Sequence, residues 1–289
     1  MLAVVTGASE GLGRALVPLL ARDGYDVMAV ARRIDALEDL AREVTEAAGK
    51  PGKPARGAGN HPCRVEYHPG RAGNRALPPG RILPLSADLE STEGIEAVAA
   101  AVSAEGGNLD MLVNNAGRGD IGNFADADPT SLRGILRLNV EALTLLTRRL
   151  LPAIVEEGIV LHVASVAAVL PGPGMATYYA SKAYVLSLGI ALSEELRPRR
   201  ISVTTVCPGP IATGFQRVAG FDEDEYYRTT RAASPEQVAE WAYRIALKRR
   251  SVAFYRWYRI SDWAARLAPR SIFARLMAAY QRRRAPKHQ

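Results

Sequence analysis

Two cysteines, Cys63 and Cys207, are all that 289 residues contain, too few for the disulfide framework of a small secreted scaffold. Long apolar runs are also missing. The longest, Ile159 to Leu170, is interrupted by His162 and Ser165 and is too short to span a bilayer. No charged leader precedes the first apolar run, which begins at Leu2 and ends in Thr6-Gly7; the expectation is therefore no secretory signal and a cytoplasmic location. Acidic residues are scarce in two places. From Arg244 to Gln289 there are 13 Lys or Arg against Asp262 alone, and from Lys50 to Arg81 seven against Glu66. With a net charge of +7 for the whole chain, the remainder carries −11. A nucleic-acid-binding body would need a basic face in its folded surface, so nucleic acid is not an expected partner. The two basic segments leave room for anionic cofactors, acidic substrates or an anionic lipid surface.

What is present suits a folded α/β protein. Hydrophobic residues make up 48% and charged residues 23%, enough apolar material for a sizeable core. Short apolar or β-branched runs at Leu2–Val5, Asp26–Val30, Ile82–Leu85, Leu109–Val113, Gly158–Val163 and Ile201–Val206 read as buried strands. Helical apolar spacing fills the intervals Gly11–Arg22, Ile34–Ala48, Ser91–Glu105, Pro129–Leu151 and Thr177–Arg197. Ser234-Pro235-Glu236 opens a further helix, with Ser as cap and Pro at the first helical position. This alternation predicts a doubly wound parallel sheet with helices on both faces. Pro18 falls inside the first helix and is expected to kink it. The segment Gly49–Gly80 holds seven Gly and six Pro and reads as a flexible loop inserted after the second helix. Its His61, Cys63 and His68 lack the paired spacing of a zinc site, so no metal is expected.

Thr6-Gly-Ala-Ser-Glu-Gly-Leu-Gly13 follows the first strand and opens the first helix. Glycines at 7, 11 and 13 permit a tight turn and close approach of the backbone to a pyrophosphate at a helix N-terminus. The second strand ends in Ala31-Arg32-Arg33, with no carboxylate until Asp35. An acid at that place would bond a ribose 2′-hydroxyl, whereas guanidinium groups suit a 2′-phosphate; Arg14 is expected to join them. Tyr178 and Lys182 are four residues apart and share a helix face. A free phenol has a pKa of about 10, and a neighbouring ammonium draws it down towards working pH. Ser165, just past the strand ending at Val163, offers a hydroxyl to a carbonyl oxygen. Asn139 lies mid-helix, where an amide needs a partner.

Thr6-Gly7-x-x-x-Gly11-x-Gly13, Asp88-Leu89, Asn114-Asn-Ala-Gly117, Asn139, Ser165, Tyr178-x-x-x-Lys182 and Pro208-Gly209 together resemble the short-chain dehydrogenase/reductase superfamily, from Met1 to about Leu247 outside the insertion. The resemblance implies a Rossmann-type fold holding a nicotinamide cofactor along the carboxyl edge of the sheet. It implies Tyr178 as acid/base, Ser165 polarising the carbonyl, Lys182 tuning Tyr178 and holding the nicotinamide ribose, and Asn139 anchoring a relay water. Gly7, Ser9, Gly11, Leu12 and Gly13 would cradle the phosphates, with Arg32 and Arg33 selecting NADP(H). Asp88 and Leu89 would meet the adenine, Asn115, Ala116 and Gly117 would line the cofactor, and Pro208, Gly209, Ile211 and Thr213 would embrace the carboxamide. Where many relatives finish with a glycine-rich strand packed in a tetramer, Ser251-Val-Ala-Phe-Tyr255 here leads into an aromatic, basic tail. The expected assembly is accordingly a homodimer.

The expected organisation is one Rossmann-type catalytic domain over 1–255 and a basic amphipathic helical tail over 256–289. In the tail, Ile260, Trp263, Ala264 and Leu267, and after Pro269 Ile272, Phe273, Leu276, Met277 and Tyr280, have helical spacing among arginines. Such a stripe suits peripheral contact with a membrane surface or packing on the body or a partner subunit. The expected activity is NADP(H)-dependent interconversion of a ketone and a secondary alcohol on a small hydrophobic or lipid-like substrate. Two other classes remain open: a catalytically idle NADP-binding sensor or scaffold, and a membrane-peripheral lipid-binding protein.

Overall fold

A computed structural model describes residues 1–49, 78–221, 231–258 and 270–282. Seven strands form one parallel sheet: β1 (Leu2–Thr6), β2 (Asp26–Ala31), β3 (Ile82–Ser86), β4 (Leu109–Asn114), β5 (Ile154–Val163), β6 (Ser202–Cys207) and β7 (Val252–Phe254). Their spatial order is β3-β2-β1-β4-β5-β6-β7. The order reverses between β1 and β4, where the crossovers leave in opposite directions and open a crevice at the carboxyl edge. Alternation along β1 shows how the sheet is buried on both faces. Ala3 and Val5 join one core with α1 (Gly11–Arg22), while Leu2 and Val4 join a second with α3 (Thr92–Ala104). α2 (Ile34–Gly49) lies between β2 and β3 in the chain.

Pro18 does not interrupt α1, which runs through it to Arg22. The proline is exposed while Leu16, Val17 and Leu20 are buried, so the carbonyl deprived of its donor is on the side open to water. The single helix expected over Pro129–Leu151 is instead three pieces. α4 (Pro129–Leu136) passes into a π-helical turn, Arg137–Ala142, and then α5 (Leu143–Leu150). α6 (Ala176–Glu195), the short α7 (Phe215–Val218), α8 (Pro235–Leu247) and α9 (Arg270–Arg282) complete the described helices. Ser234 caps α8 by accepting from the Gln237 N–H, as its sequence signature predicts. A seventh strand was not among the runs read from sequence. β7 pairs in parallel with β6 through Val252, Ala253 and Phe254, too short to show a period of its own. Most of the insertion, including His61, Cys63 and His68, and the tail's Ile260–Leu267 stretch lie outside the described residues. Among the described residues no helix is long and apolar enough to cross a membrane, and no cluster could hold a metal ion.

One polar group is set deep in this core. His162 on β5 is fully buried between Asn114 on β4 and Thr205 on β6, its partners in register. Its Nδ1 lies 3.2 Å from Asn114 Nδ2, which also donates to Thr147 Oγ1 at 2.9 Å. Burial pushes the imidazole pKa down to about 4, so the ring is held neutral. An unfolded histidine takes its proton near 6.5, so between these values the unfolded chain binds more protons. Stability is therefore lost as pH falls from about 6.5 through 4. In thermal denaturation the drop in Tm between pH 7 and 4.5 is expected to shrink in His162→Asn relative to the unaltered protein. An undiminished drop would assign the acid sensitivity to other groups.

Candidate active site

The crevice at the switch point is a cleft of about 870 Å³. Its floor is the turn after β1. Gly7 and Gly11 adopt left-handed backbone, with φ of 67° and 57°. A Cβ at Gly13 would lie 2.3 Å from the Gly7 carbonyl oxygen, so α1 starts in contact with the turn itself. Thr6 fixes the turn to the end of β4: its Oγ1 accepts from the N–H groups of Asn115 and Ala116, at 2.9 and 3.0 Å, and donates to Val113 O. Asn115 answers with its side-chain amide on Thr6 O at 2.8 Å. Gly7, Ser9, Gly11, Leu12, Asn115, Ala116 and Gly117 all line the cleft. A side-chain-free turn against the positive end of a helix is a cradle for an anion.

Arg32, Arg33, Asp88 and Leu89 line one end of the cleft. Arg33 Nη2 donates to Glu10 Oε2 at 3.0 Å and to Ser9 Oγ at 3.3 Å. Arg14 does not join them as the sequence suggested. Its guanidinium turns to α2, bonding Ala36 O at 3.1 Å and Glu43 at 2.6 Å, because a carbonyl and a carboxylate on the neighbouring helix are within its reach.

Ser165, Tyr178 and Lys182 line the middle, and Pro208, Gly209, Ile211 and Thr213 close over it. Ser165 follows β5 and accepts the Ala167 N–H at 3.1 Å, opening a short turn over Val166–Val169. Tyr178 and Lys182 are on the first turns of α6, with the lysine Nζ 5.9 Å from the phenol ring centre. Lys182 donates to Val163 O at 2.9 Å. Burial pulls its ammonium down to about 8, partly countered by Cys207, so near neutral pH the group is charged but poised to release a proton. Gly13 and Asn139 are the two expected site residues that do not line the cleft. Asn139, in the π turn, is buried behind it. Its amide donates to Arg118 O and Ser181 Oγ, both at 2.9 Å, and its oxygen accepts the Arg118 N–H at 2.9 Å. The side chain thus ties the loop after β4 to α6. A register break of this kind is frequent at functional sites.

Other lining residues escaped the sequence reading. Phe215 packs its ring 5.3 Å from that of Tyr178. Gln216, buried, holds the loop above it by donating to Ile211 O at 2.7 Å. Two residues come from beyond β7: the Tyr258 ring covers Gly209, where a Cβ would meet it at 2.3 Å, and Met277 of α9 reaches the cleft wall. No local pattern marks such residues, which meet the site only through the folded path of the chain.

The cradle, the arginine pair and the tyrosine–lysine pair form an elongated site that fits a dinucleotide. A model of the short chain dehydrogenase family matches residues 1–55 and 71–224, and this chain belongs to that family of nicotinamide-dependent oxidoreductases. It is 32% identical over 246 residues to dehydrogenase/reductase SDR family member 4 of Sus scrofa, covering 82% of this chain and 77% of that protein. Short chain dehydrogenase pigC of Monascus ruber is 31% identical over 212 residues, 72% of this chain; the match spans 62% of that longer protein. Among solved structures, a short-chain dehydrogenase from Sphingobium yanoikuyae in complex with NADPH superposes with a TM-score of 0.73 and 25% identity, covering 91% of each chain.

The contact between Gly13 and Gly7 leaves no room for a side chain. The atoms that a methyl at 13 would strike are the Gly7 carbonyl and, at 2.5 Å, the Asn115 amide nitrogen, neither of which is a free side-chain end. Gly13→Ala is expected to lower stability by about 1–3 kcal/mol, the usual cost of overpacking, and to weaken nucleotide binding with it. Urea denaturation and a cofactor titration check both; an unchanged midpoint with unchanged affinity would show that the turn gives way freely.

Proposed function

We propose that this chain is an NADP(H)-dependent oxidoreductase interconverting a ketone and a secondary alcohol on an apolar substrate. The observation that carries this reading is that Ser165, Tyr178 and Lys182 share one cleft with the glycine cradle and with Arg32 and Arg33. A bound nicotinamide supplies or accepts the hydride. The residues do the rest. Ser165 Oγ donates to the substrate oxygen, and Tyr178 delivers the proton that completes the alcohol, or takes it in the reverse direction. Lys182 stabilises the phenolate and holds the nicotinamide ribose. Asn139 keeps the loop at Gly117 and the start of α6 in register, a positional part consistent with its buried bonds. Arg32 and Arg33 take the 2′-phosphate. Cells generally hold NADP reduced, which favours carbonyl reduction.

Leu170, Met175, Phe215, Phe221 and Met277 support the hydrophobic substrate, since they give the end of the cleft beyond Tyr178 an apolar wall. Tyr258 and Met277 support reading the tail as part of that wall rather than as a membrane contact. A homodimer is supported by large apolar side chains left exposed on neighbouring helices, Leu145 of α5 at 45% and Ile190 of α6 at 44%. An idle sensor would have no use for a buried lysine beside an accessible phenol.

Two measurements test the reading. Fluorescence titration is expected to give NADPH at least a tenfold tighter Kd than NADH, because charge-assisted contacts contribute roughly 1.5–3 kcal/mol each. The preference should vanish in Arg32→Ala/Arg33→Ala, and equal affinities in the unaltered protein would sink it. In a panel of ketones followed by NADPH absorbance, Tyr178→Phe is expected to lose about 10²–10⁴-fold in rate with cofactor affinity nearly unchanged. Lys182→Ala should lose both rate and affinity, whereas Tyr179→Phe, one residue off the register with Lys182, retains most activity. A dead Tyr179→Phe beside a live Tyr178→Phe would require the mechanism to be redrawn.

A further inference from the structure

The short helix α7 reaches back from the substrate wall to the phosphate cradle. A Cβ at Gly11 would lie 2.8 Å from Thr213 Cγ2, so the strand-to-helix segment carrying Thr213 rests on the glycine turn. One residue further, a Cβ at Gly214 would lie 3.1 Å from Arg217 Nη2 and equally 3.1 Å from Glu10 Oε2. A guanidinium on α7 and the carboxylate at the cap of α1 therefore straddle Gly214. Both line the cleft. Glu10 is also the residue that Arg33 holds at 3.0 Å. Glu10 thus stands between Arg33, which binds it, and the Arg217 guanidinium on the far side of Gly214, where the start of α1 favours an anion. Structural need does not account for this: the Arg33 and Glu10 side chains are 60% and 42% exposed, and ion pairs so exposed contribute little to stability.

We propose that Arg217 is a ligand of the cofactor pyrophosphate and that Glu10 holds its place until the cofactor arrives. The inference rests on the nucleotide reading of the cleft and adds a binding residue to it. The pyrophosphate takes Arg217, the adenosine-side phosphate takes Arg33, and the Glu10 carboxylate leaves the space between them. α7 also carries Phe215, whose ring packs against Tyr178. One short helix therefore carries both the proposed pyrophosphate ligand and the ring that packs against the catalytic phenol.

The test compares three ligands on the full chain: NADPH, NADH and adenosine 2′-monophosphate, which lacks the pyrophosphate. Kd values are measured for the unaltered protein, Arg217→Gln and Glu10→Gln, with thermal melts to show that each variant is folded. Arg217→Gln is expected to weaken NADPH and NADH alike, by about tenfold for the loss of one charge-assisted contact, and to leave adenosine 2′-monophosphate unchanged. Glu10→Gln is expected to tighten NADPH, because the competing anion is gone. The proposal is overturned if Arg217→Gln leaves both dinucleotides unchanged, or weakens adenosine 2′-monophosphate as much. It is equally overturned if Glu10→Gln weakens NADPH, since Glu10 and Arg217 would then be a structural latch. Failure of the NADP assignment would show instead in the NADPH to NADH ratio, because both cofactors carry the pyrophosphate that Arg217 is proposed to hold.

Discussion

The start of α1 cannot move away from the end of β4, and the rest of the site depends on that constraint. Thr6 Oγ1 accepts two backbone N–H groups from the chain leaving β4, and Asn115 returns its amide to the β1 turn. The two strands on either side of the switch point are thereby tied at their carboxyl ends, where the ladder hydrogen bonds stop. Each bond satisfies a backbone group that would otherwise open towards the crevice, and buried backbone groups are costly to leave unpaired. With the turn fixed, the first N–H groups of α1 have nowhere to point but into the cleft. The anion site is a by-product of closing the sheet. On the proposed function, its specificity comes from side chains at the end of β2 and on α7.

Lys182 shows the opposite economy. Burying an ammonium is unfavourable, and the hydrogen-bond acceptor that Lys182 meets among the described residues, Val163 O, is neutral. The depressed pKa is the mark of that cost. A lysine placed for stability alone would have been given a carboxylate. This one lies beside a phenol and opens onto a cleft with an anion cradle. On the proposed function a phenolate or a bound nucleotide compensates its charge, so the cost of burying the ammonium is converted into affinity and into a lowered barrier for proton transfer.

Much of this was legible in the sequence because the signals are local or periodic. The strands showed as short apolar runs, the cradle as three glycines between a strand and a helix, and Tyr178 and Lys182 as an i,i+4 pair. What was hidden has physical reasons. The π turn around Asn139 keeps nearly the same apolar spacing as the α-helix on either side, so its extra residue per turn leaves no trace in periodicity. What gave it away was the amide itself, a polar group mid-helix that required partners, which proved to be Arg118 and Ser181. Arg14 was misjudged because position beside the glycines ignores competition; Ala36 O and Glu43 on α2 were closer claimants. Gly13 kept its place in the motif but acts by its absence of bulk, not by touching the cleft. Phe215, Arg217 and Tyr258 belong to no motif, and only the return of the chain over the cradle brings them to the site.

The tail's two readings from sequence compete for the same atoms. An apolar side chain lining a protein cleft is not simultaneously in a lipid interface, and Met277 lines the cleft while Tyr258 covers Gly209. A membrane-bound state would have to withdraw Met277 from the wall, exposing to water the end of the cleft where, on the proposed function, a carbonyl is reduced. Water exclusion strengthens the electrostatic contacts on which such a step relies. Met277 and Tyr258, described residues of the tail that reach the cleft, therefore favour the tail as a wall of the site.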